Sequence, residues 1–257
     1  MSRLPLTFEC DGVSLAGTLD MAASHTGLLI VSGGNEIRAG AFNGQARLAR
    51  DIAQEGFPVF RFDRRGIGDS DGENRGFRHA AGDIDAAIQA FRAIAPQVRQ
   101  IVAFGNCDAA SALMLNADLV VDRLIASNPW TIDDDDDGPA PEEARMRYAA
   151  KLREPRELLR LITGKVNVAK LFIGLRSIAA RRSSPSTLIV EMARGLEAAN
   201  KPITILLAGE DRTARMFDRN WTGPAHDLAR REGASHAYVE PGAYAWLLAQ
   251  ILHRLRA

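Results

Sequence analysis

Short apolar runs alternate along this chain with longer stretches whose apolar residues recur at helical spacing. Leu6–Cys10 and Val13–Leu19 flank Asp11-Gly12, a strong turn pair, and predict a hairpin. Gly27–Val31 and Pro58–Phe62 are brief apolar segments of strand character. Between them, Phe42, Ala46, Ala49 and Ile52 or Ala53 lie close to one face of a helix predicted over Phe42–Glu55, which Gly56 ends. A second helix is expected over Ala80–Ile94, its apolar side formed by Ile84, Ala87, Ile88 and Phe91. Strand Gln100–Phe104, helix Asp108–Leu115 and strand Val121–Ala126 follow, and later helix Thr187–Ala199, strand Ile203–Ala208 and helix Ala243–Leu255. The alternation of strand and helix predicts an α/β fold with a mostly parallel central sheet flanked by helices.

The alternation breaks after Asn128-Pro129-Trp130. Five consecutive aspartates, Asp133–Asp137, form a run of like charge that stays solvated, and Gly138-Pro139-Ala140-Pro141 follows it. Arg145–Leu152, Pro155–Leu161 and Lys165–Ala180 have helical character, the last with Val168, Leu171, Phe172, Leu175 and Ile178 as an apolar stripe. We expect residues 129–184 to form a helical cap inserted between two parts of one core, 1–128 and 185–257. An ordinary long crossover is the alternative.

The 257 residues suit one large domain or a domain with a lid, and a 46% hydrophobic content supplies a full core. Lys plus Arg and Asp plus Glu both total 32, so nothing in the overall charge favours nucleic acid or an anionic membrane as a partner. The N-terminus lacks the apolar core of a signal peptide, and no apolar run reaches the roughly 18 residues of a membrane span. A soluble cytoplasmic protein is the expectation. The two cysteines, Cys10 and Cys107, could form one bridge but do not make a disulfide scaffold; Cys10 is read as passive.

Cys107 is the residue with chemistry. An apolar strand enters Gly105, the cysteine follows two residues later, and a helix begins at once. Such a strand-to-helix turn needs small residues around its apex, here Gly105 and Ala109, and it lifts the apical side chain clear of the backbone. It also puts the thiol at a helix N-terminus, where exposed N–H groups favour the thiolate. This is the layout of a nucleophile elbow, with cysteine in place of the usual serine.

A thiol nucleophile needs a base and a group that orients the base. Asp211, at the carboxyl end of strand Ile203–Ala208, is the expected acid, with Glu210 its close competitor; Arg212 and Arg215 would help keep either ionised. His236, in Gly233-Ala234-Ser235-His236-Ala237-Tyr238, is the expected base. His226 suits a cap or the surface, and His253 lies inside the last helix. Leu228–Gly233 is a poor, arginine-rich strand and His236–Val239 a better one, which would move the histidine off a loop. The developing oxyanion needs backbone donors. One is expected from Asp108 N–H, the other from Gly34 or Asn35 in Ser32-Gly33-Gly34-Asn35. Arg38 is a candidate contact for an anionic part of the substrate.

Asp63-Arg64-Arg65-Gly66-Ile67-Gly68-Asp69-Ser70 is expected to be a structural loop that Asp63 pins by hydrogen bonding. It lacks the third glycine and the immediate helix of a dinucleotide site. No tight ligand spacing suggests a metal, and the aspartate run lacks the register of a calcium loop, so neither cofactor nor metal is expected.

Ser32-Gly33-Gly34, the Asp63–Ser70 loop, Gly105-Asn106-Cys107-Asp108-Ala109, Gly209-Glu210-Asp211 and Ser235-His236 together resemble the α/β-hydrolase superfamily over nearly the whole chain. More narrowly, Asn106-Cys107-Asp108-Ala109-Ala110 and Gly233–Tyr238 resemble the exosortase A system-associated hydrolase 1 family, proteins encoded with bacterial exopolysaccharide and protein-sorting machinery. The resemblance implies an α/β-hydrolase fold, with Cys107 as nucleophile, Asp211 as acid and His236 as base. The chain departs in its cysteine and in having Ser32-Gly33 where a histidine–glycine pair is frequent. The function expected is that of a cysteine-dependent esterase or thioesterase acting on a small-molecule acyl substrate. An acyltransferase using the same acyl-cysteine, and a non-catalytic binding or scaffolding protein, are the alternatives.

Overall fold

The structure, a computed structural model, describes residues 2–132, 186–224 and 227–257. The cap expected over 129–184 lies outside the described residues from 133 onward, and so does His226. By its contacts the chain separates into one unit of Met1–Thr131 with Leu188–Ala257 and a second of Ile132–Thr187. The first contains the sheet.

Strands β1 (Arg3–Cys10) and β2 (Val13–Asp20) form the hairpin expected around Asp11-Gly12, with Cys10 paired to Val13. They are followed by β3 (Thr26–Val31), α1 (Gly44–Gln54), β4 (Val59–Phe62), α2 (Ala81–Ile94), β5 (Gln100–Asn106), α3 (Asp108–Leu115) and β6 (Arg123–Ser127). After the second unit come α4 (Thr187–Ala199), β7 (Ile203–Ala208), α5 (Arg212–Asn220), β8 (Asp227–Arg231) and α6 (Ala243–Leu255). The described strands form an eight-stranded sheet in the order β1-β2-β4-β3-β5-β6-β7-β8. Only the β1–β2 and β2–β4 pairs are antiparallel.

Side chains alternate across the sheet and feed two cores. Leu29, Val31, Phe60 and Phe62 pack on the side of α2, α3 and α4, with Ile84, Phe91, Leu113 and Met192. Leu28, Ile30 and Val59 point the other way, onto Leu48 and Ile52 of α1 and Leu247 and Ile251 of α6. Central strands buried on both faces explain why Gly27–Val31, Ile101–Phe104 and Ile203–Ala208 are nearly continuous apolar runs.

Three local expectations need correction. Helix α1 begins at Gly44, and Phe42 sits in a short 3-10 turn with φ of 52° and 89% of its surface exposed. The buried face of α1 is Leu48, Ala49, Ile52 and Ala53. The arginine-rich segment before His236 is a strand, β8, whereas His236–Val239 is loop. Strand β8 pairs in parallel with β7 from Thr204–Asp227 to Ala208–Arg231 at the sheet edge, where half its side chains meet water and an apolar pattern is not required. Helix α5 was not anticipated: its only buried residues are Ala214 and Phe217, too sparse an apolar stripe to stand out. Cys10 and Cys107 are both free thiols.

Candidate active site

Strand β5 delivers Cys107 to the carboxyl edge of the sheet. At Gly105, a Cβ would lie 2.7 Å from the Ala109 carbonyl carbon and oxygen and 2.8 Å from Ala110 N. Only glycine lets the helix fold back this tightly on the strand. Cys107 at the apex has φ of 61° and ψ of −129°, a combination of strained backbone angles for a residue with a Cβ. It is held there by its N–H donating to Ser127 O at 3.0 Å, and by its carbonyl accepting from Ala110 N at 3.1 Å and Ser111 N at 3.3 Å. The residue is half-buried, and its side chain makes no capping bond to the helix it heads.

Asp211 stands where β7 gives way to α5 and serves as that helix's N-cap. Its two oxygens accept from Thr213 N and Ala214 N, both at 3.2 Å. His236 Nδ1 lies 2.9 Å from Asp211 Oδ2. Burial pushes the Asp211 carboxyl up, but His236 and the two backbone N–H groups outweigh it and hold the group below the usual carboxylate range. The competitor Glu210 carries an exposed side chain.

His236 is hydrogen-bonded to Asp211 and lies near Cys107, and these neighbours, Asp211 first, push its pKa up to about 10 against the opposing effect of burial. An ionised carboxylate only accepts, so Nδ1 carries the proton and the other ring nitrogen is left for Cys107. The geometry thus brings together three of the expected residues in the order thiol, imidazole, carboxylate. His253, the alternative base, is exposed on α6.

The loop after β3 behaves differently from expectation. Gly34 N–H, one of the two alternatives for the oxyanion donor, donates to Asp108 Oδ1 at 2.5 Å. The Gly34 carbonyl accepts from Arg64 Nη2 at 2.5 Å, and the same nitrogen lies 3.4 Å from Asp108 Oδ2. A Cβ on Gly33 would stand 2.6 Å from Asn106 O and 2.7 Å from Asp108 Oδ1, which accounts for glycine there. Asn35 is exposed, and its side-chain oxygen accepts from Asn74 Nδ2 at 3.0 Å. Arg38, the candidate substrate contact, is engaged as a loop tie. Its guanidinium donates to Thr18 Oγ1 at 3.0 Å, to Asp69 Oδ2 at 2.9 Å and to Asp63. Asp63 also accepts from Asp69 N at 3.1 Å, so it pins the loop as anticipated.

A buried polar network beneath the elbow escaped the sequence. Asn128, fully buried with φ of 45°, accepts from Ala208 N at 2.8 Å and donates to Asn106 Oδ1 at 2.9 Å. Asn106 in turn donates to the His236 carbonyl at 3.3 Å. Tyr238 O–H and Ser127 Oγ are 2.9 Å apart. Asparagine at the end of a strand, where it tolerates a positive φ, was the available signal. Among the described residues no group of three or more His, Cys, Asp or Glu is placed to hold a metal ion, and no helix is long and apolar enough to cross a membrane.

The chain matches the model of the alpha/beta hydrolase family over residues 28–247 and belongs to that family. No curated protein matches it. Among solved structures it is similar to the Pyrococcus furiosus esterase Pf2001, at 15% identity with a TM-score of 0.66, over 99% of this chain and 90% of that one. It is similar also to the alpha/beta hydrolase GrgF from Penicillium sp. sh18, at 19% identity and a TM-score of 0.65, over 100% and 98% of the two chains. An alpha-beta serine hydrolase homologue from Coxiella burnetii aligns at 15% identity and a TM-score of 0.60, over 99% and 98%. At these identities the likeness is one of fold. With the family match it makes this protein an α/β hydrolase.

Proposed function

We propose that the protein is a cysteine-dependent acyl hydrolase acting on small-molecule esters or thioesters, with Cys107 as nucleophile, His236 as base and Asp211 as the orienting acid. One observation carries this reading: His236 is hydrogen-bonded to Asp211 and lies near enough to Cys107 that the thiol, after Asp211, helps raise its pKa. A histidine whose pKa is raised to about 10 is a strong base beside the thiol and takes its proton as the sulfur attacks. The thiolate adds to the carbonyl carbon, and Asp108 N–H, at the head of α3, is the donor that meets the oxyanion beside it. Collapse breaks the bond to the leaving oxygen or sulfur, which takes the imidazolium proton and leaves an acyl-cysteine. Neutral His236 then removes a proton from water, which attacks the thioester, releases the acid and restores the thiol. The likeness of Asn106–Ala110 and Gly233–Tyr238 to the exosortase A system-associated hydrolase 1 family supports a cytoplasmic role in exopolysaccharide or exosortase-associated metabolism.

The test is incubation with 4-nitrophenyl butyrate followed by mass spectrometry. A butyryl adduct on Cys107, removed by hydroxylamine and missing in Cys107→Ala, is the expected result. Full ester turnover by Cys107→Ala would place the chemistry elsewhere, and no turnover by the wild type over a broad ester and thioester screen would favour a binding protein.

A further inference from the structure

The residue after the thiol uses its side chain in a way that bears on rate. Gly34 N–H has room for one good acceptor and already has it, Asp108 Oδ1 at 2.5 Å. A substrate oxyanion cannot share that hydrogen. The contact is built rather than incidental. Gly33 lacks the Cβ that would lie 2.7 Å from the same oxygen, and Arg64 clamps the Gly34 carbonyl while lying 3.4 Å from the other Asp108 oxygen. Arg64 is itself buried, and its Nη1 has no hydrogen-bond partner. The guanidinium fork therefore has spare capacity for a carboxylate that leaves Gly34.

We infer that Asp108 is an internal occupant of the loop's oxyanion donor, so that acylation of Cys107 passes through a state in which the Asp108 carboxylate has released Gly34 N–H and rests on Arg64. The inference rests on the proposed acyl-cysteine chemistry. Asp108 thereby plays two opposed parts: its backbone N–H serves the oxyanion while its side chain withholds the second donor. The exchange is one of hydrogen-bond partners alone. In the covalent step the Cys107 thiolate bonds to the acyl carbon and 4-nitrophenolate departs with the electron pair.

Two measurements on the full chain test this. The first is the Gly34 amide resonance and its hydrogen exchange in wild type, Asp108→Asn and Asp108→Ala. Loss of the carboxylate acceptor shifts the resonance upfield and speeds exchange. The second compares acylation of Cys107 by 4-nitrophenyl acetate with its alkylation by iodoacetamide, which forms no oxyanion. We expect Asp108→Ala to acylate about ten-fold faster or more, within the ~10²–10³ that one oxyanion donor is worth, with Asp108→Asn between it and wild type and alkylation unchanged. A Gly34 amide indifferent to Asp108→Ala overturns the inference. So does acylation that is unchanged or slower, which leaves the carboxylate a strap and Asn35 the loop donor. A parallel rise in acylation and alkylation also overturns it, since removing a negative neighbour from the thiolate would then suffice. Failure of the underlying reading is read separately, as ester turnover that survives Cys107→Ala.

Discussion

The turn that carries Cys107 and the loop that carries His236 reach the same point by different physics. The elbow is fixed by backbone against backbone. Gly105 lies against Ala109 and Ala110, and the Cys107 amide and carbonyl are both bonded to main chain. The histidine loop keeps two main-chain bonds, Glu210 N to Ala234 O at 2.9 Å and Tyr238 N to Ser235 O at 3.1 Å, and side chains supply its other ties. Asn106 holds the His236 carbonyl, Glu240 accepts from Ser235 N at 2.9 Å, and Tyr238 bonds to Ser127 while stacking on Trp246 at 6.0 Å. A steric turn has little freedom and breaks by overpacking. A polar network can be loosened one bond at a time.

The contrast can be tested by variants of decreasing effect. His236→Ala is expected to slow ester turnover by about 10³-fold, within the range of general-base loss, and to bring the urea midpoint close to that of the wild type only at alkaline pH. His253→Ala, on the exposed face of α6, leaves turnover unchanged. Gly105→Ala strikes the elbow, and with backbone atoms only 2.7–2.8 Å from the new methyl it costs about 3 kcal/mol of stability by chemical denaturation. A wild-type midpoint in Gly105→Ala would show that strand and helix can separate at the turn. Asn128→Ala leaves Ala208 N–H and the Asn106 amide without their buried partner and costs about 2 kcal/mol, with a fall in turnover that Asn128→Asp restores only in part. Tyr238→Phe removes one bond and keeps the stack, for about 1 kcal/mol.

The pH dependence sharpens the same comparison. His236 binds its proton more tightly folded, at about 10, than unfolded, near 6.5. Its contribution to stability is therefore complete below pH 6.5 and is lost as pH rises through about 10. Asp211, whose folded pKa is lowered, contributes above its ordinary carboxylate pKa and loses that contribution as pH falls through the folded value. The difference in urea midpoint between wild type and His236→Ala, followed from pH 6 to 11, should shrink toward zero at the alkaline end. A difference independent of pH would show that the imidazole is held by packing alone.

What could be read directly was what period and turn chemistry encode locally. Helices Asp108–Leu115, Thr187–Ala199 and Ala243–Leu255 and strand Ile203–Ala208 have the bounds their apolar patterns predict. Each buries its stripe against the sheet, so burial and pattern are one fact. The turn at Gly105–Ala109 was legible for the same reason, since small residues at fixed offsets are a local steric demand. Phe42 misled because its apolar side chain fits a helical face by spacing, yet the residue lies outside the helix in a left-handed turn. Edge strand β8 misled in the opposite sense: it is a strand because β7 offers it a ladder, not because its side chains ask for one.

The sequence by itself therefore determined the strand and helix pattern that implies a parallel sheet, and the tight turn that presents Cys107, because apolar period and small residues at fixed offsets are properties of residues close along the chain. The tertiary structure alone decided which groups meet. It made Asp211 rather than Glu210 the partner of His236, turned Arg38 inward to Asp63 and Asp69, and gave Gly34 N–H to Asp108. Those choices depend on which carboxyl ends of strands lie side by side, and on which buried polar atoms must find one another once water has gone.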